Sequence, residues 1–239
     1  MARFPAELAA LEARIVRCRL CPRLVAWREE VARTRRRAYR DEIYWGRPVP
    51  GFGDPGAAIV LVGLAPGAHG SNRTGRMFTG DRSGDFLYAA LHRAGLASAP
   101  ASRHRGDGLT LHGAFLTSAC RCVPPQNRPT RAELERCAPF LDAELRVLPG
   151  ARVLVALGAI GWKAILAHLV RAGQTLPRPR PRFAHGAEWK PKGGPAVLGT
   201  YHPSQQNTQT GRLTPAMLDS VLGRAVVLAL RPLAWSEPM

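Results

Sequence analysis

Five cysteines and a handful of polar residues beside glycines are the positions at which this sequence can do chemistry. Cys18 and Cys21 are separated by two residues, a spacing that lets two thiolates hold one metal ion or cluster. Cys120, Cys122 and Cys137 lie far down the chain. Four thiolates from the two segments suit zinc or an iron–sulfur cluster, and would staple the N-terminal segment to the body. Spacing does not separate those two, and it does not choose between Cys120 and Cys122, which share a face of an extended chain. Small buried thiols holding no metal are the other reading. The stretch from Met1 to Cys18 is broken by Arg3, Glu7, Glu12, Arg14 and Arg17, so a signal peptide is not expected, nor a disulfide framework.

The other chemistry-bearing residues fall in three polar segments. Gly63 to Asp81 is rich in Gly, Thr and Arg; Gly63, Gly67 and Gly70 let backbone approach a ligand closely, or simply make turns. Phe78 can stack on a planar base or anchor its own loop. Asp81 can orient water or stabilise a cationic sugar, or else cap the helix that follows. Asn127, after Pro124-Pro125, can position water or shape a turn. His202, before Pro203, can donate a hydrogen bond to charge on a leaving group, or satisfy nearby backbone. Ser204 to Arg212 carries Gln, Asn, Thr and Arg but no acid, which suits a groove or phosphate probe. The spacing is neither G-x-G-x-x-G nor a P-loop.

Those segments need elements to hold them. Residues 6–38 read as helical, with Leu8, Leu11, Ile15, Leu24, Trp27 and Val31 at three- and four-residue steps. Short apolar runs at 58–63, 112–118, 152–157 and 196–201 read as buried strands. Helical patterns at 85–96, 130–148, 159–171 and 215–230 separate or follow them, the second opening on a capping box at Thr130-Arg-Ala-Glu133. Strand–helix alternation predicts an α/β layered domain with a mainly parallel sheet. In such sheets ligands bind outside the carboxyl ends of the strands, where all three polar segments fall. One domain over 1–239 is expected, with a helical segment and lead-in at 1–56 and an α/β core at 57–230.

The 239 residues include 34 Lys and Arg against 17 Asp and Glu, a formal charge of +17. All the basic residues but Lys163, Lys190 and Lys192 are arginine, whose planar fork suits phosphate. The excess favours a polyanion, nucleic acid first. No apolar run approaches the roughly 20 residues of a membrane helix, so a cytoplasmic protein with no membrane partner is expected.

At the polar segments the sequence resembles the uracil-DNA glycosylases of family 5, the type B enzymes. Gly63–Asp81, GLAPGAHGSNRTGRMFTGD, is the most specific part of the match. Arg47-Pro-Val-Pro-Gly-Phe-Gly-Asp54, Cys122-Val-Pro-Pro-Gln-Asn127 and the stretch from His202-Pro-Ser to Gly211-Arg-Leu-Thr214 support it. The resemblance implies a three-layer α/β/α fold with a four-stranded parallel central sheet. It implies one structural 4Fe–4S cluster on Cys18, Cys21, Cys122 and Cys137, leaving Cys120 spare. Asp81 resembles the family's catalytic carboxylate and Asn127 a second assisting residue. His202 resembles the histidine near the base carbonyl, and Phe78 the ring under the flipped base, with Gly63, Ala65 and Gly67 around it.

The implied activity is monofunctional hydrolysis of the N-glycosidic bond of uracil in single- or double-stranded DNA, by a monomer associated with the nucleoid. Leu64 stands where stricter relatives carry a polar water-activating residue, and Thr117-Ser118-Ala119 lacks the Asn that reads the uracil edge in several other families, so hypoxanthine and modified pyrimidines are further expected substrates. Arg73, Arg76, Arg128 and Arg212 are expected at the mouth of the site, with Ser204, Gln205 and Asn207 in the groove behind the flipped base. Two rivals fit less of the sequence. A non-catalytic nucleic-acid-binding protein with a Cys₄ staple leaves the three loops idle, and a hydrolase of free nucleosides leaves the charge idle.

Overall fold

The computed structural model describes residues 3–230. Its centre is a six-stranded sheet in the order β1-β3-β2-β4-β6-β5. The strands are β1 (Phe52–Gly53), β2 (Ile59–Gly63), β3 (Ala114–Ser118), β4 (Val153–Leu157), β5 (Glu188–Trp189) and β6 (Ala196–Thr200). β3, β2, β4 and β6 run parallel, as expected. The expected four-stranded sheet is corrected by the two edges, which pair antiparallel to β3 and β6. Each edge is two residues long, too short for any alternation to show in sequence.

β2, β3 and β4 are buried along their whole length, which is why they read as unbroken apolar runs. Alternate side chains enter different cores. Ile59, Leu61, Val153 and Val155 pack with α4 (Arg82–Arg93) and α8 (Pro215–Leu230). Val60, Val62, Leu154 and Ala156 pack on the other face with α5 (Arg131–Arg146) and α6 (Ala159–Arg171), joined by Leu8 of α1 (Arg3–Val16). Helices on both faces make the expected three layers. The Thr130–Glu133 capping box is present at the start of α5.

The continuous helix expected over 6–38 is broken. α1 ends at Val16 and α2 covers Pro22–Thr34, because Pro22 has no N–H to continue a helix but suits a first-turn position. Cys18 and Cys21 therefore lie in and beside the break. After α2, residues Arg37–Tyr39 make one 3₁₀ turn, and α3 (Ser71–Thr74) and α7 (Gln205–Gln209) are short helices inside the polar loops. Gly63 pairs with Ser118 and Leu157 with Thr200, so the four parallel strands end level and release their loops at one edge.

Candidate active site

A cleft of ≈ 440 Å³ opens at that edge. Its walls include Ala65, Gly67, Phe78, Asp81, Asn127, His202, Ser204 and Gln205, eight of the residues singled out from sequence. Gly63 is not among its lining residues; it lies behind the Phe78 ring, where a Cβ would fall 2.7 Å from Cζ. Phe78 is buried, at the unusual φ of +53°. It is locked there because Gly84 packs on its carbonyl so closely that a Cβ would fall 1.8 Å from the oxygen. Next to it, the Tyr88 hydroxyl donates to the Met77 carbonyl at 3.0 Å.

Asp81 fills both roles open to it in sequence. Its Oδ1 accepts from the Gly84 amide at 3.0 Å and caps α4, so this helix starts three residues earlier than its apolar pattern. Its Oδ2 lies against Gly67 and Gly70 at the cleft wall. Burial raises the carboxyl above its ordinary range, against the pull of the Gly84 amide. His202, at the end of β6, comes within 6.0 Å of Phe78, ring centre to ring centre. Burial alone pushes its imidazole down to about 4, so it is neutral at pH 7. A desolvated carboxylate, an uncharged imidazole and an aromatic face thus share one cleft. They can stack a planar ring, hydrogen-bond its edge and stabilise positive charge beside it.

The sequence model of the uracil DNA glycosylase superfamily matches residues 50–225, which include every residue of this cleft except Arg36. The chain belongs to the uracil DNA glycosylase superfamily. It is 58% identical over 212 residues to the type-5 uracil-DNA glycosylase of Thermus thermophilus, covering 89% of this chain and 94% of the relative. It is 54% identical to the type-5 enzyme of Mycobacterium leprae, over 93% and 96% of the two chains. For that of Pyrobaculum aerophilum the identity is 47%, over 89% of each. Membership makes the chain a hydrolase of the DNA glycosylase kind.

Two of the arginines expected at the mouth of this glycosylase cleft, Arg73 and Arg76, are not among its lining residues. Arg76 is buried and spends its guanidinium on Asp107 and Ser102, at 2.6 Å each, and on Thr79, lying over the Phe52 ring. Arg73 binds Glu42, the His69 carbonyl and the Gly80 carbonyl, with its guanidinium over Tyr39. Both guanidiniums are engaged within the protein, where they brace the loop. Asn207 is half-buried, its amide donating to the His202 carbonyl at 2.8 Å. Arg128 and Arg212 are exposed outside the cleft, Arg212 stacking on Tyr201. The cleft adds Arg36 and His69, neither of them singled out from sequence. Arg36 and His69 come from segments with no shared spacing, so no pattern joined them.

The five cysteines do come together. With Leu24, Arg28, Arg121 and Phe140 they line one small space between α2, the loop after β3, and α5. Among the described residues, no three His, Cys, Asp or Glu side chains converge tightly enough for a single metal ion. The sulfurs ring the space instead, and two receive hydrogen bonds. The buried Arg28 guanidinium donates to Cys122 at 3.0 Å and the Arg121 amide to Cys137 at 3.2 Å. At Cys137 the donors win and hold the thiol down to about 7, whereas at Cys122 burial outweighs Arg28 and pushes it up to about 12. Cys120 is fully buried and donates to the Cys122 carbonyl at 3.4 Å. Among the described residues, no helix is long and apolar enough to cross a membrane.

Proposed function

We propose that this chain removes uracil from DNA by hydrolysing the bond between base and deoxyribose. The observation that carries this reading is the Asp81 carboxylate, held at the cleft wall by the Gly84 amide in the same cleft as Phe78 and His202. The arginine-rich surface holds the duplex by its phosphates and the target nucleotide turns out of the stack into the cleft. Phe78 stacks on the base. As the glycosidic bond breaks, its electron pair leaves with the base, and the neutral His202 imidazole donates to the base carbonyl that gathers the charge. Asp81, with Asn127 beside the cleft, orients a water against the cationic sugar and takes its proton. No lysine is among the cleft's lining residues, so the reaction is hydrolysis without a Schiff base.

Ser204 and Gln205 flank the flipped nucleotide, and Arg128 and Arg212 reach phosphates further out. The cleft's apolar Leu64 and Ala65 set no polar group against a particular base edge, which supports hypoxanthine and modified pyrimidines as further substrates. Cys18, Cys21, Cys122 and Cys137 would hold one 4Fe–4S cluster, which suits a ring of thiols better than a single ion does. When bound, it would supply structural closure between α2 and the body, with no part in excision. The chain acts as one domain and as a monomer, in the cytoplasm.

Alkaline strand breakage of a uracil-containing duplex tests the excision. Breaks with wild type and none with Asp81→Asn are expected; no breaks with wild type would leave DNA binding alone. About four irons per chain, lost in Cys18→Ala and kept in Cys120→Ala, are expected for the cluster. Stoichiometric zinc would refute it.

A further inference from the structure

The cleft has a polar wall that base excision leaves idle. Tyr44, buried under it, places its hydroxyl 3.0 Å from His69 Nδ1 and accepts the Arg36 amide at 3.3 Å. A phenol has one hydrogen, and the Arg36 N–H already donates to its oxygen. With the Arg36 N–H on its oxygen, the phenol still has its one hydrogen to donate to Nδ1, the arrangement in which the proton of the neutral imidazole sits on Nε2. Burial, with Arg36 and Arg73 nearby, lowers the pKa of His69 and keeps it in this single-proton form. Arg73 also donates to the His69 carbonyl at 2.7 Å, fixing the backbone that carries the ring. His69 Nε2 and the Arg36 guanidinium have no partner among the described residues, and both residues line the cleft.

The position selects the ligand. His69 sits between Gly67 and Gly70, the two residues packed on Asp81 Oδ2. The base belongs at Phe78 and His202, and the sugar beside Asp81. The next group along the strand from that sugar is a phosphodiester. One fixed N–H and one unpaired guanidinium, with no unpaired acid on this wall other than Asp81, match a phosphate oxygen pair.

We infer that His69, oriented by Tyr44, and Arg36 form a binding site for the DNA phosphodiester flanking the flipped nucleotide. The inference rests on the excision reading, and its test separates the two. Binding of the whole protein is measured on duplexes carrying a non-cleavable 2′-fluoro-deoxyuridine. The flanking phosphates are replaced one at a time by neutral methylphosphonate. His69→Ala and Arg36→Ala are each expected to weaken binding to the native duplex by about 10- to 100-fold, the scale of hydrogen bonds to a charged group.

At one flanking position, methylphosphonate costs wild type a similar factor and costs the variants almost nothing further. Tyr44→Phe behaves like His69→Ala, and His69→Gln, which keeps an N–H, restores part of the loss. Arg36→Ala also lowers the salt slope of binding by about 0.9. Thermal melts of all variants confirm folding. Additive losses at both flanking positions would overturn the site, even in a protein that excises uracil. Coupled losses in a protein that breaks no uracil duplex would keep the phosphate site and remove the excision.

Discussion

Phe78 and His202 meet across the cleft with ring centres 6.0 Å apart and planes tilted by 36°. A base clasped between two parallel rings needs about 7 Å, two van der Waals contacts. The pair is too close and too tilted for a sandwich. In the proposed reaction the base therefore lies on one face of Phe78 and His202 meets its edge, where a hydrogen bond can follow the developing charge.

The protonation of these groups sets the pH behaviour. His202 is held down to about 4 and Asp81 is raised above the ordinary carboxylate range. Single-turnover excision should stay level from pH 8 past the ordinary histidine value and fall only as Asp81 takes a proton. A limb centred at the ordinary histidine value, absent from His202→Gln, would contradict this. Stability carries the same sign for His202. In the unfolded chain it binds a proton near 6.5, before the folded protein does, so its contribution is full above that value and is lost as pH falls toward 4. Urea unfolding of wild type should show a steeper loss over that window than His202→Gln.

Cap and catalyst can be separated at Asp81. Asparagine keeps an oxygen for the Gly84 amide and removes a desolvated charge. Asp81→Asn should melt at or above the wild-type temperature while excision falls by about 10²- to 10⁴-fold. Asp81→Ala should lose a comparable rate and about 1 kcal/mol of stability with the cap. Wild-type rates in the asparagine variant would remove Asp81 from the chemistry.

Arginines of one sequence class should divide into two kinds. Arg76→Ala strands the nearly buried Asp107, whose carboxyl Arg76 and two backbone amides hold well below its usual range, and should cost about 3–5 kcal/mol. Arg212→Ala should leave stability within about 0.5 kcal/mol and reduce the salt slope of DNA binding by about 0.9. Reversed outcomes in denaturation and salt titration would show the contacts to be misassigned.

A buried ion pair stands beneath the cysteine ring. Arg121 meets Glu144 at 2.6 Å, both 1% exposed, and Glu144 also accepts from Thr117 and the Gly51 amide. Glu144→Ala should destabilise by about 3–5 kcal/mol in urea, and Glu144→Gln, which preserves shape and an acceptor, by less. Equal losses would mean that the charge itself carries the whole contribution, and no loss in the glutamine variant that it carries none.

The legible parts of this protein were those with a local cause. Four strands showed because burial on both faces leaves apolar runs, and Asp81, Phe78, Asn127 and His202 showed because they end or follow such strands. The edges Phe52–Gly53 and Glu188–Trp189 are shorter than any pattern. Arg73 and Arg76 advertised charge but not its use, since Glu42 and Asp107 are brought to them only by the fold. Tyr44 and His69 carried no signal, because a hydrogen bond between two separate loops leaves no spacing to read.

A Cβ on Gly70 would fall 1.9 Å from Asp81 Oδ2. The two positions therefore fix the order in which change can be accepted. Alanine at 70 is closed to any chain that keeps the carboxylate, and is eased to a tight 3.0 Å contact with the residue-81 Cβ once Asp81 has shortened to alanine or serine. A lineage that abandoned the acid would be freer to fill the glycine, and would then find the way back barred: restoring aspartate against a filled neighbour is worse than never having lost it. The close contact acts as a ratchet on the history of the loop.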